Sequence, residues 1–302
     1  MDSQSTLIIG AALLWATDSL LRLPLLGNLT PAAIVFWEHA VAIFVVVPIV
    51  FYYRSKLKYI KSKEWTALAF IGLVASTVAT LAFTASFRYL NPSVSILLIK
   101  LQPLVTFVLA AVWLKEKLPR YFWLWATVAI VGGYLAIFSF SWPAWQNQPG
   151  FIWLGILLAL LAAVSWGGAT AVGRYLVGRL DFSLVTSLRF LIALPALSVW
   201  LFWQQGWAGF DLPTNLDLSR IGLILLGPGL GAMFLYYWGL KKTPASLAAV
   251  LELLWPVLAV ILNWYFLNQS LSLGQLAGAA LLLLAVGRLT VWPLVKNRLC
   301  TY

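Results

Sequence analysis

Histidine, cysteine and charge are what this chain of 302 residues has least of: one His, one Cys, and 10% charged residues, where a soluble domain carries roughly 25%. The single cysteine, Cys300, excludes an internal disulfide and any cysteine metal cluster. One histidine, His39, and no HExxH or GxSxG stretch leave little from which to build a hydrolytic zinc centre or a nucleophile–base pair. GPGLGAMF is not a GxxxxGK[ST] phosphate loop, so no nucleotide-driven motor is expected. No catalytic residue, no metal ligand and no cofactor is therefore expected. Acidic residues are few as well, nine against 20 basic ones, giving a charge of +11. In a soluble protein that balance would suggest nucleic acid; here the placement of the cations argues for a bilayer as the partner and against nucleic acid. The opening MDSQST lacks a basic n-region and a small-residue cleavage site, which predicts that the first apolar run is kept as a span.

What the chain has in abundance is hydrocarbon. Hydrophobic residues make up 62% of it, tryptophan alone accounts for 17 positions, and the mean hydropathy is +0.92. Runs of about 20 apolar residues, the length needed to cross a bilayer, fall near 6–22, 31–53, 65–88, 92–114, 120–140, 151–175, 182–203, 219–240, 244–267 and 271–294. The pattern predicts an all-α integral membrane protein of ten transmembrane helices. Turn-forming breaks such as LPLLGNLTP, RYLNP and SWPAWQNQPG separate the runs. Cations concentrate in alternate breaks: Arg54, Lys56, Lys58, Lys61 and Lys63; then Lys115, Lys117 and Arg120; then Arg174 and Arg179; then Lys241 and Lys242; and Lys296 and Arg298 in the tail. By the positive-inside rule these breaks and both termini face the cytoplasm, in a plasma or bacterial inner membrane.

The chain also repeats itself. Shifted by 153 residues, NPSVSILLIKLQPLVTFVLAAVWLKEKL lies without a gap on PASLAAVLELLWPVLAVILNWYFLNQSL, with Pro103 on Pro256 and Ser93 on Ser246. Five spans is an odd number, so the second copy must enter the membrane upside down. The charges agree: KEK becomes NQS, and the five-cation break at 54–63 becomes 204–218, which holds Asp211 and Asp217 and no cation. Two inverted five-helix repeats, 1–145 and 146–302, are expected, an architecture that puts a substrate site near the midplane between the repeats.

On these residues the chain resembles the drug/metabolite transporter superfamily, EamA type. The resemblance is carried by LLWATDSLLR and VSWGGATAVGR early in spans one and six, by TSLRFLIALP in span seven, and by the proline-centred LQPLVTFVLAAVWLKEKL and LWPVLAVILNWYFLNQSL. It departs from that pattern at Glu38, where arginine is frequent, and at the NQS turn. The resemblance implies a transporter of an amino acid, another metabolite or a drug-like cation.

Six ionisable side chains fall inside the runs: Asp18, Glu38, His39, Lys100, Arg189 and Glu252. Charge in hydrocarbon is costly and marks either a pair or a function. Lys100 and Glu252 stand within a turn of Pro103 and Pro256, each of which removes a backbone hydrogen bond and bends its helix. That predicts kinks or hinges at the two prolines and a central cavity between these helices, with Lys100 and Glu252 as a self-neutralising pair or as groups for a zwitterion. Glu38 and Arg189 occupy matching places on the second helix of each repeat and are expected to form an ion pair or the two ends of a substrate path. Asp18 and Arg22, spaced i,i+4, read as a shallow pair near the outer surface. Trp15, Trp166 and Trp255 are candidates for stacking on substrate, although interfacial anchoring and packing must explain most tryptophans. Glu38, His39 and Glu252 are the proton-coupling candidates; a lone histidine is more often a packing residue. Small residues in WGGATAVG and in Gly274-x-x-x-Gly278 suit close helix packing, and Gly227-Pro228-Gly229 reads as a hinge or a local break.

The composite reading is a secondary transporter of a small organic metabolite, an amino acid or similar zwitterion, working by alternating access as a proton-coupled exporter or by another coupling. A channel-like facilitator and an intramembrane enzyme are the alternatives. The sequence is compatible with a monomer and sets no oligomeric state.

Overall fold

The structure, a computed structural model, describes residues 3–113, 118, 120–140, 151–241, 243, 248 and 251–299. Lys115, Lys117, Lys242, Cys300 and the break at 141–150 lie outside the described residues.

Among the described residues seven helical segments are long and apolar enough to cross a membrane, and three apolar ones are shorter. In chain order we label them α1 Ser5–Leu25, α2 Pro31–Tyr52, α3 Ser62–Ser86, α4 Pro92–Val108, α5 Phe122–Phe138, α6 Phe151–Val177, α7 Phe182–Phe210, α8 Asn215–Leu240, α9 Leu254–Leu267 and α10 Leu273–Thr290. Among the described residues there is no strand. The protein is an all-α membrane fold.

Helix starts coincide with the turn chemistry of the breaks. Thr30 accepts from Ala33 N at 3.2 Å, with Pro31 at the first helical position. Asn91 accepts from Ser93 N at 2.9 Å, with Pro92 next. Each cap satisfies a backbone donor that the first helical turn leaves open, and each proline sits where it lacks nothing.

Interruptions inside the helices are more informative than their ends. α4 breaks at Lys100–Leu101, between Pro92–Ile99 and the stretch resuming at Gln102, just ahead of Pro103. The chain turns likewise at Glu252–Leu253 before α9 and Pro256. At both breaks the hydrogen bonds tighten to i,i+3, Lys100 N to Leu97 O at 3.0 Å and Trp255 N to Glu252 O at 3.2 Å, which re-satisfies backbone groups at membrane depth. α3 holds a π-helical stretch at Ile71–Ala79 and α8 another at Leu225–Gly229. The offset of 153 that aligns the fourth helices carries the first stretch onto residues 224–232, which contain the second. π turns of this kind cluster at functional sites. The Gly227-Pro228-Gly229 stretch is thus a local π break within a continuous segment.

Packing has the same two-sided character. α5 packs broadly on α10, α2 on α7, and α4 on α9. α1 packs on α8 and α9, as α6 packs on α3 and α4. Small residues set the closest approach: a Cβ on Gly132 would lie 2.6 Å from Leu282 N, and one on Gly278 2.7 Å from Gly132 O. The Gly167 Cβ position is 3.1 Å from Gln102 O, so the WGGA stretch lets α6 press against the break in α4.

Candidate functional site

Between α1, α2, α3, α6, α7 and α8, beside the break in α4 and the start of α9, lies a cavity of about 160 Å³. Its wall has an aromatic part and a charged part. Trp15, Phe83, Trp166, Tyr236 and Trp255 form the first; Asp18, Arg22, Glu38, His39, Arg189 and Glu252 line the rest, with Ser76, Thr80, Gln102 and Thr170 between. Counting Lys100 with Asp18, Arg22, Glu38, Arg189 and Glu252, this region holds three full charges of each sign.

One charged group is closed on itself. Arg22 donates to both oxygens of Asp18, from Nε at 2.7 Å and Nη2 at 2.8 Å, and from Nη2 to Glu38 at 3.1 Å. Its Nη1 reaches Thr84 Oγ1 at 3.2 Å. Arg22 is 3% exposed, Asp18 5% and Glu38 3%. This is a buried, hydrogen-bonded triad, not a shallow pair. The planar guanidinium serves two carboxylates because its donors lie in a fixed fork. α1 supplies two members on successive turns, and the break at Thr17, whose hydroxyl bonds Leu14 O at 2.8 Å, lies just ahead of them.

The expected Glu38–Arg189 pair does not form, because Glu38 is taken by Arg22. Arg189 donates instead to neutral groups: Nε to Ser76 Oγ at 2.8 Å and Nη1 to Tyr237 Oη at 3.0 Å. Ser76 belongs to the π stretch of α3. The other π stretch touches Glu38, since a Cβ on Gly229 would lie 2.8 Å from Glu38 Oε1. Each second helix thus sends a charged side chain to the π-bulged helix of the opposite half.

Lys100 and Glu252 do not form the self-neutralising pair either. Among the described residues neither makes an ion pair within 4 Å. Lys100 is 4% exposed and lies outside the cavity lining, one layer behind Trp255, with Nζ 4.5 Å from the Trp255 ring centroid. A desolvated ammonium over an indole face is a cation–π contact. Glu252 is on the wall together with Tyr236.

The aromatic candidates come together. Trp15 lies 5.2 Å from Tyr236 and 5.8 Å from Trp255, centroid to centroid. Trp166 packs 5.4 Å from Phe83 and donates its Nε1–H to Ala75 O at 3.0 Å, again in the π stretch. His39 is stacked on Phe190 at 4.5 Å, and its Nδ1 meets Val35 O at 2.9 Å. The proton-coupling candidate His39 and six of the seven substrate-binding candidates therefore share the wall: Trp15, Glu38, Trp166, Arg189, Glu252 and Trp255. Lys100 does not.

Sequence reading passed over several members. Gln102, inside the LQP stretch, donates to Thr170 Oγ1 at 3.0 Å; its place beside the helix break was the available signal. Asn263, fully buried, accepts from Ser19 Oγ at 2.6 Å and donates to Ser93 Oγ at 3.1 Å, tying α1, α9 and α4 together. An uncharged amide in an apolar run gave no comparable signal. In the linear chain Arg22 is legible only as the i,i+4 partner of Asp18.

A helical membrane fold with a polar and aromatic cavity at its centre is the form of a solute transporter. The chain belongs to the EamA-like transporter family, whose pattern matches twice, over residues 3–138 and 153–290. It is 30% identical over 288 residues to the riboflavin transporter ImpX of Fusobacterium nucleatum, covering 93% of this chain and 95% of that one. It is 26% identical to the uncharacterized transporter YwfM of Bacillus subtilis, over 93% of this chain and 92% of that one. A solved crystal structure superimposes with a TM-score of 0.65 at 19% identity, covering 98% of both chains, and shares the fold. The protein is a membrane transporter of a small molecule.

Proposed function

We propose that this chain carries a small, planar, hydrogen-bonding heteroaromatic solute across the membrane by alternating access, with the central cavity as its binding site. The observation that carries the reading is the wall of Trp15, Phe83, Trp166, Tyr236 and Trp255 around one cavity. Aromatic faces stack on flat rings in offset or tilted geometry and add binding beyond area alone. Similarity to a riboflavin transporter along nearly the whole chain supports the same class, and riboflavin is the first compound to test. Lys100 acts through Trp255, making that ring a firmer platform.

The cavity of about 160 Å³ is smaller than the roughly 300–1,000 Å³ of sites for drug-sized ligands, so loading requires the two halves to part. Two inverted repeats, 1–145 and 146–302, with ten spans and both termini cytoplasmic in the plasma membrane, supply that motion. The twin packing of α1 on α8 and α6 on α3, and the π stretches at equivalent places, support the repeat. The breaks ahead of Pro103 and Pro256 are the flexible points.

A second reading has its own observation. Arg189 and Glu252 line one cavity, and among the described residues neither has an oppositely charged partner within 4 Å. A zwitterion such as an amino acid would meet both.

Proteoliposome counterflow separates these readings. Liposomes loaded with unlabelled riboflavin are expected to take up labelled riboflavin saturably, with no comparable exchange of tryptophan or leucine. Exchange of amino acids without riboflavin would transfer the site to the zwitterion. Flux that neither saturates nor counterflows would make the protein a facilitator and not a carrier.

A further inference from the structure

Six buried side-chain polar atoms lack a hydrogen-bond partner among the described residues, and two belong to residues lining the cavity: His39 Nε2 and Trp255 Nε1. The wall's other hydrogen-bonding groups are largely engaged with one another. Trp166 Nε1 and Thr80 Oγ1 share Ala75 O, Gln102 holds Thr170, Ser76 and Tyr237 hold Arg189, and Arg22 holds Asp18 and Glu38. Beside these pairs the two orphans are informative, because a buried polar group is normally paired; both atoms are covered in this closed state, and the parting of the halves that loading requires would open them to a solute.

The two atoms have opposite hydrogen-bonding character. Val35 O can only accept, so His39 Nδ1 at 2.9 Å carries the proton, and in the neutral ring Nε2 presents a lone pair. The ring cannot turn to exchange the two nitrogens without losing that bond and its stacking on Phe190 at 4.5 Å. Trp255 Nε1–H is a donor only, and its ring is fixed between Trp15 and Lys100. His39 comes from α2 and Trp255 from α9, so the pair spans the two halves of the chain.

We propose that His39 and Trp255 are the specificity-determining residues of the site. Nε2 of His39 accepts from an N–H or O–H of the solute, and Nε1–H of Trp255 donates to a carbonyl or ring nitrogen of the same molecule. The solute is an uncharged heteroaromatic lactam or imide, with donor and acceptor on one flat ring system. This rests on the heteroaromatic reading above and deepens it. It also gives His39 a task other than carrying a proton: its acceptor reads the solute, and its orientation is set by the backbone of its own helix.

The test uses matched solutes that differ only in the donor: riboflavin against its N3-methyl derivative, and uridine against N3-methyluridine. Calorimetric titration of the detergent-purified full chain is expected to favour the N–H member of the bound pair by roughly tenfold, the scale of one buried hydrogen bond. His39→Phe should bind both members alike at the weaker affinity, and His39→Gln, whose amide oxygen accepts, should restore the preference. Trp255→Phe keeps a ring for Lys100 and should weaken both members equally, leaving their ratio intact. Unliganded melting temperatures of the variants show whether each is folded. A wild-type ratio near one, or a ratio that survives His39→Phe, would overturn the assignment while leaving flavin transport intact. Discrimination within the uridine pair without any flavin binding would sink the flavin reading and keep the assignment. Binding of none of the four would overturn both.

Discussion

Arg22 and Arg189 are both buried arginines on the wall of one cavity, yet they are held in opposite ways. Arg22 is clamped by two carboxylates, at 2.7 Å and 3.1 Å. Arg189 is held by a serine and a tyrosine hydroxyl. In a medium that penalises bare charge, the first arrangement is self-sufficient and the second is not. The triad welds α1 to α2, whereas Arg189 braces the π stretch of α3 and, among the described residues, has no oppositely charged partner within 4 Å. The contrast separates a charge answered by other charges from one answered by neutral hydroxyls.

The sharpest way to break the contrast is to remove both arginines in turn. Arg22→Ala strands two buried carboxylates, and breaking a buried pair by deleting one partner costs about 3–5 kcal/mol. Its melting temperature in detergent should fall steeply, and the neutral triple replacement Asp18→Asn, Arg22→Met, Glu38→Gln should recover most of the loss. A wild-type melting temperature for Arg22→Ala would refute the structural role. Arg189→Ala loses hydrogen bonds to neutral partners only, worth about 1–3 kcal/mol, but should cut initial counterflow rates by at least roughly tenfold. Equal flux would show that its charge serves packing alone.

Glycines give a smaller effect with an internal control. A methyl on Gly229 would press on Glu38 Oε1 at 2.8 Å and on Ile224 O at 2.9 Å. Gly229→Ala should therefore loosen the triad by about 1–3 kcal/mol. Gly132→Ala meets Leu282 N at 2.6 Å, a backbone atom that cannot yield, and should do the same at the α5–α10 contact. Gly133→Ala next door meets only leucine methyls at 3.6 Å and beyond, and should be near neutral in the same melting assay. The smallest expected effect is on pH dependence. If flux is proton-linked, Glu252→Gln should flatten its pH profile more than Glu38→Gln, because among the described residues Glu252 has no ion-pair partner within 4 Å to replace a proton. A profile unchanged in both variants would remove carboxylate coupling.

Much of the fold could be read from the linear chain, for a physical reason. Hydrocarbon imposes one rule on every span, apolar residues at lengths near 20, and prolines beside Thr30 and Asn91 mark where helices begin. The breaks at Lys100 and Glu252 were likewise readable, since a proline in the interior of an apolar run deletes a hydrogen bond that the helix would otherwise make. The π stretches were not, because Ile71–Ala79 and Leu225–Gly229 differ from ordinary helix only in how the backbone closes its hydrogen bonds.

Charge partners were harder still. The sequence established that Asp18, Arg22, Glu38, Lys100, Arg189 and Glu252 sit in an apolar chain and must each be answered by something. It could not establish by what, because partnership depends on lateral position around each helix and on which helices touch. The tertiary structure gave Glu38 to Arg22, left Arg189 to Ser76 and Tyr237, and put Lys100 behind Trp255. Residue type and depth along the membrane normal are properties of the chain. The direction in which a side chain leaves its helix, and what it meets there, is decided only when the helices pack.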